Sequence, residues 1–91
     1  MANGYKVVFT DKFDSSARQI KRKKSVLFGK LSKQIGKIIK NPEVGKPLRN
    51  VMRNYRRIHV GSFVLIYEIR DEQIRFIDFD HHDKIYKKYR T

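Results

Sequence analysis

Residues 55–80 read YRRIHVGSFVLIYEIRDEQIRFIDFD, and the spacing of their apolar side chains decides the fold. Three runs rich in β-branched and aromatic residues, YRRIHV (55–60), FVLIYEI (63–69) and QIRFIDFD (73–80), are separated only by the short links VGSF and RDEQ. Such links suit antiparallel hairpins, so the runs are expected to pair in chain order. The middle run is apolar almost throughout, as expected of a central, covered strand.

Upstream of this stretch the period changes twice. YKVVF (5–9) reads as a short strand, and Thr10 is a suitable N-cap with Asp11 in the first helical turn. Phe13, Ala17 and Ile20 then step by four and three, the spacing of one face of a helix reaching about Lys24. Ser25 can cap a second helix, whose apolar stripe is Leu27, Leu31, Ile35, Ile38 and Ile39. That helix must stop near Asn41, because Pro42 disfavours helical geometry in the residue before it. Gly45 and Gly61 read as turn glycines. The expected fold is α+β in the order β-α-α-β-β-β: a mostly antiparallel four-stranded sheet with an N-terminal helical hairpin on one face, in one domain over residues 1–91.

Composition limits the chemistry. The chain has 91 residues and no cysteine, which excludes disulfides and thiolate metal sites. No apolar run approaches the roughly 18–20 residues of a membrane span, and MANGYKVVFT lacks the apolar core of a signal peptide. The expectation is a cytoplasmic protein without membrane contact. Lys plus Arg number 22 against 9 Asp plus Glu, a formal net charge of +13. A lysine-rich surface would explain the lysines but not the imbalance, whereas a polyanionic partner, nucleic acid or an acidic protein, explains both. Arg18, Lys21, Arg22, Lys46, Arg49 and Arg56 are the candidate phosphate contacts.

Strand alternation sorts the polar residues. In the first run of the meander Ile58 and Val60 share one face, and Arg57 and His59 the other. In the last run Asp78, Asp80 and His82 oppose Ile77 and Phe79. If the apolar set faces the helices, Arg57, His59 and His82 collect on the open face, with Tyr86 arriving just after the strand. Tyr5 and Tyr89 read as packing or edge residues.

Two of the chain's three histidines sit in FDHHDKIY (79–86). A metal reading fares poorly there, because adjacent strand residues point to opposite faces and no second well-spaced ligand pair follows. Proton transfer is the chemistry that histidines near an arginine can supply, since imidazole titrates near neutrality. Exposed histidines with no chemistry are the bland alternative, and the motif alone does not exclude it.

The loop NPEVGKPLRN, the run RIHVG followed by LIYEI, and the terminal spacing H-x-x-x-Y together resemble the RelE/ParE family of toxins of type II toxin–antitoxin systems, closest to its RelE-like branch. The resemblance runs from YKVVFTDKF to Tyr86 and implies the same sheet with a helical hairpin. It implies a metal-independent endoribonuclease, without cofactor, that cuts mRNA in the ribosomal A site by attack of a 2′-hydroxyl on the adjacent phosphate. It also implies a cognate acidic RelB-like antitoxin. Matched position by position, Arg57, His59, His82 and Tyr86 become the expected catalytic residues. Val64 departs from the pattern, since many members carry a phosphate-contacting arginine there, and His59 replaces the commoner Lys or Arg. Asp80 and His81 stand where glycine and a small or basic residue are usual. The resemblance leaves two other readings open: a ParE-like poison of DNA gyrase without ribonuclease activity, and a non-catalytic basic nucleic-acid-binding domain.

Overall fold

The computed structural model describes residues 4–48 and 54–89. Strand β1 (Lys6–Phe9) leads into helices α1 (Asp11–Lys23) and α2 (Ser25–Lys40), and a short 3-10 turn at Pro42–Val44 precedes strand β2 (Lys46–Pro47). Strands β3 (Tyr55–Val60), β4 (Phe63–Arg70) and β5 (Gln73–His81) follow, and helix α3 (His82–Lys88) ends the described chain. The sheet order is β1-β5-β4-β3-β2, with β1 parallel to β5 and every other pair antiparallel. The expected architecture is present, with a fifth strand and a third helix added. β2 is only two residues long and ends in proline, which an edge strand tolerates and a pattern search overlooks.

The helical hairpin is set by its caps. Thr10 Oγ1 accepts from the Phe13 amide at 3.2 Å and donates to the Phe76 carbonyl at 2.8 Å, so one hydroxyl starts α1 and ties it to β5. Asp11 and Asp14 at its start and Lys21, Arg22 and Lys23 at its end complement the helix dipole. Ser25 does not cap α2. It is the first helical residue, and Lys24 takes the cap position without a side-chain hydrogen bond. Phe13, Leu31 and Ile38 bury against Val60, Leu65, Tyr67, Ile74, Phe76 and Phe79, the main core between hairpin and sheet. Ile39, expected on the buried stripe, is instead 37% exposed near the end of α2.

The opposite face is not an open platform. Leu48, Val64, Ile66, Ile85 and Tyr89 form a second buried cluster with Tyr55 and Ile77 packed beside it; Ile85 comes from α3 and Tyr89 from the residue that caps it. A bulge explains why parity failed in the last strand. Ile66 pairs with Asp78 and Tyr67 with Phe76, so Ile77 is left over. Ile77 therefore joins the second cluster while Phe79 joins the first, although simple alternation puts them together.

Buried polar groups pin the loop before β2. Tyr67 donates to the Pro42 carbonyl at 2.7 Å and accepts from the Gly45 amide at 2.9 Å. Burial pushes the Tyr67 phenol up, and the Gly45 amide and Arg56 only partly offset it. Gly45 has φ −76°, so its role is close approach rather than turning. A Cβ there would lie 2.6 Å from the Tyr67 hydroxyl and 2.9 Å from the Arg57 carbonyl. Gly61, at φ 62°, is the turn glycine expected. Gly45→Ala is expected to destabilise the fold by about 1–3 kcal/mol through overpacking, read from chemical denaturation.

Asp78, 1% exposed, anchors the last turn of α3. Its Oδ2 receives Lys88 Nζ at 2.9 Å, the Tyr89 hydroxyl at 3.0 Å and Lys12 Nζ at 3.2 Å. Burial alone would raise this carboxyl, but the hydrogen bonds from Lys88 and Lys12, the Lys88 charge and the Tyr89 bond hold it below the usual range. A folded-state value below the unfolded one gives stability that is present above the unfolded pKa of about 3.9 and lost as pH falls through the folded value. Asp78→Asn is therefore expected to cost about 1.5–3 kcal/mol at neutral pH. In denaturation curves the gap between variant and wild type should close in acid below about pH 4.

Candidate active site

Strand β3 carries Arg57 and His59 on the face away from the hairpin, while Ile58 and Val60 contribute to the main core. The register sets Lys46 of β2 opposite Arg57, and directly opposed antiparallel residues project to the same side. Lys46 and Arg57 thus form a basic pair at this edge of the sheet, and Arg57 makes no ion pair with any described residue. On its other side β3 sets His59 opposite Val64, which is fully buried in the cluster under α3.

The second half of the site comes from α3. β5 ends at His81 and α3 starts at His82, its amide bonded to the Ser62 carbonyl at 2.9 Å. One turn on, the Tyr86 hydroxyl lies 3.5 Å from His59 Nε2, and the His82 and Tyr86 rings are 5.9 Å apart. Three of the four expected catalytic residues, His59, His82 and Tyr86, are therefore joined by ring and hydrogen-bonding contacts, with Arg57 two residues before His59 on the same strand face. His59 is exposed, Tyr86 is 40% exposed and His82 is half-buried, so the group is open to a large ligand.

Asp83 is the residue that pattern reading missed. Its Oδ1 lies 3.0 Å from His82 Nδ1, a contact that favours the tautomer with the proton on Nδ1 and the lone pair on Nε2. The signal was the adjacency in HHD, which only a helical start at His82 turns into a side-chain contact. The same change of geometry overturns the argument that His81 and His82 must diverge. Their rings lie 4.3 Å apart, and one ligand atom each from His81, His82 and Asp83 falls within 4.8 Å of the others. These three could converge on a cation. His81 Nδ1 accepts from the Asp83 amide at 3.2 Å, and its ring meets Phe63 edge-on at 5.9 Å.

The remaining basic candidates fall into separate places. Arg18 and Lys21 rim an apolar groove of about 300 Å³ floored by Phe9, Phe13, Ala17 and Phe28, on the hairpin side. Arg22 lies further along α1 on that side, facing Asp11, Ser15 and Gln19. All three therefore lie on the helical hairpin, on a different layer from Arg57. Arg56 bonds the Glu43 and Gly45 carbonyls at 3.1 and 2.6 Å, tying down the loop that carries Lys46. Arg49 lies outside the described residues.

Several solved structures share this fold. A YoeB/ParE toxin from Agrobacterium tumefaciens superposes with a TM-score of 0.78 at 18% identity, over 85% of this chain and 98% of that one. The toxin chain of the Escherichia coli DinJ–YafQ toxin–antitoxin complex gives 0.76 at 22% identity, over 91% and 98%. The fold is therefore that of small toxins from two-component toxin–antitoxin systems. In sequence, the family described as "ParE toxin of type II toxin-antitoxin system, parDE" matches residues 7–86. A Methanocaldococcus jannaschii protein that carries the name toxin RelE4 is 38% identical over 76 residues, covering 80% of this chain and 76% of that protein. The chain belongs to this ParE toxin family, within the RelE/ParE group that its motifs resemble. Among the described residues no helix is long and apolar enough to cross a membrane.

Nitrogen-15 spectra of the imidazoles above their titration range test the Asp83 contact. Wild type should show His82 as the Nδ1–H tautomer, and Asp83→Asn should shift it toward the Nε2–H form.

Proposed function

We propose that this protein is the toxin of a type II toxin–antitoxin pair and acts as a metal-independent endoribonuclease on mRNA at the ribosome. The observation that carries the reading is the contact of Tyr86 with His59, which brings α3 and its His82 onto the strand face that displays Arg57. In the proposed reaction a 2′-oxygen attacks the neighbouring phosphorus, the bond from phosphorus to the 5′-oxygen breaks, and a cyclic phosphate remains. The 2′-hydroxyl loses its proton to one histidine, and the departing 5′-oxygen takes one from the other. Asp83 fixes the His82 tautomer that leaves Nε2 free to accept, which suits His82 to the base role and His59 to the acid role. Arg57, which keeps its proton at any ordinary pH, stabilises the charge on the pentavalent phosphorus, assisted by Lys46 across the register. Tyr86 orients His59.

The partner in this reading is a cognate acidic antitoxin. Structural relatives are complexes of this kind, DinJ–YafQ among them. A formal charge of +13 favours steered association with an acidic chain that orders as it binds.

A second reading has its own support. The matching family is described by ParE, and Val64, at the position of a common phosphate-contacting arginine, is sealed in the core under α3. Poisoning of DNA gyrase without RNA cleavage is therefore the competing activity.

Purified protein added to translating ribosomes, with mapping of mRNA ends, separates the two. A chelator selective for transition metals spares the magnesium the ribosome needs. The expected result is chelator-resistant cleavage within the A-site codon, reduced by about 10²–10⁴ in His82→Ala and by about 10²–10³ in Arg57→Ala. An intact message together with inhibited gyrase supercoiling would replace this reading with the ParE one.

A further inference from the structure

We infer that Asp78 is a positioning residue for Tyr86, acting through the docking of α3. A helix of seven residues does not persist alone in water, so its place on the sheet has to come from tertiary contacts. The apolar share of those contacts is small: only Ile85 is buried within the helix, with Tyr89 just beyond it. Besides the His82 amide bond to the Ser62 carbonyl at the start of the helix and a 3.5 Å contact of Lys88 with Asp80, the polar contacts come from Asp78. The bulge at Ile77 sets the carboxylate under α3, where one oxygen gathers Lys88 and Tyr89 from the end of the helix and Lys12 from the start of α1. Its other oxygen, Oδ1, is buried without a hydrogen-bond partner among the described residues. A carboxylate held in this way is a poor device for stability, because an apolar side chain of similar volume would often do as well. It is a good device for register. Three donors on one atom allow the end of the helix one axial and rotational position, whereas two apolar side chains allow a slide.

Tyr86 is the residue that gains from this. It sits one turn before Tyr89, is 40% exposed, and among the described residues its hydroxyl meets only His59 Nε2, at 3.5 Å. Its other ring contact, with His82 at 5.9 Å, is to a neighbour on the same helix and does not set that helix against β3. The clamp one turn away does, so the Tyr86–His59 contact depends on an aspartate that touches neither residue.

The catalytic arm of the test rests on the ribonuclease reading; the spectroscopic arm does not. In Asp78→Asn, amide exchange within residues 85–89 should accelerate by about 10- to 100-fold under conditions where the amides of α2 that open locally keep their wild-type rates, the slowest α2 amides following only the global loss of stability. The His59 ring resonances should move toward their positions in Tyr86→Ala. In cleavage assays Asp78→Asn should lower kcat and leave KM in place. In the Tyr86→Ala background it should add less than about twofold, since both changes remove the same contact. Lys88→Met, which removes the nearest donor from a half-exposed position, should move the same signals in the same direction by less. Unmoved His59 resonances in both Asp78→Asn and Lys88→Met would overturn the inference, and so would rate losses that multiply in the double variant. If wild type cleaves no RNA, the ribonuclease reading falls, and exchange and His59 resonances alone decide whether Asp78 positions Tyr86.

Discussion

Val64, Leu65, Ile66 and Tyr67 are consecutive in β4 and none has measurable exposure. Alternate side chains on a strand face opposite ways, so a strand of this kind needs an apolar cover on both sides of the sheet. The hairpin of α1 and α2 covers Leu65 and Tyr67, and α3 helps to cover Val64 and Ile66. The second requirement shapes the site. A short chain covers the second face with little more than seven helical residues, and those residues carry His82 and Tyr86 to the edge of β3. Packing and the candidate site therefore share one face, because the helix that covers Val64 and Ile66 also presents Tyr86 toward His59.

The basic charge divides along the same layers. Lys46 and Arg57 stand together on the site face, set by the β2–β3 register, while Arg18 and Lys21 line an apolar groove behind the sheet. A field from +13 charges reaches a polyanion from any direction, whereas the front pair lies on the strand face that also carries His59. The groove behind combines an aromatic floor with a cationic rim. Val64, opposite His59 in the register, is sealed beneath α3 and adds no charge to this face.

Most of the architecture was legible from residue spacing. The meander at 55–80, the two helices, the Thr10 cap and the stop at Pro42 follow from local rules, and these elements form where those rules place them. The shared face of Arg57 and His59 was legible too, because alternation holds along β3. Alternation broke at two points. One is the bulge at Ile77, and the other is the switch from strand to helix between His81 and His82. Neither has a glycine or proline to announce it. As a result the proximity of His81 and His82, the role of Asp83 and the burial of Asp78 were all invisible to a period of two.

The sequence by itself determined the fold class, the basic character and the residue types available for phosphate chemistry, because periodicity, capping and charge are properties of neighbours along the chain. Tertiary structure decided which of those residues meet. His59 and Tyr86 are separated by 27 positions, and their contact depends on the docking of a seven-residue helix over a buried carboxylate. No local rule encodes that docking, since its energy comes from groups on β5, α1 and α3 that become neighbours only once the sheet has closed.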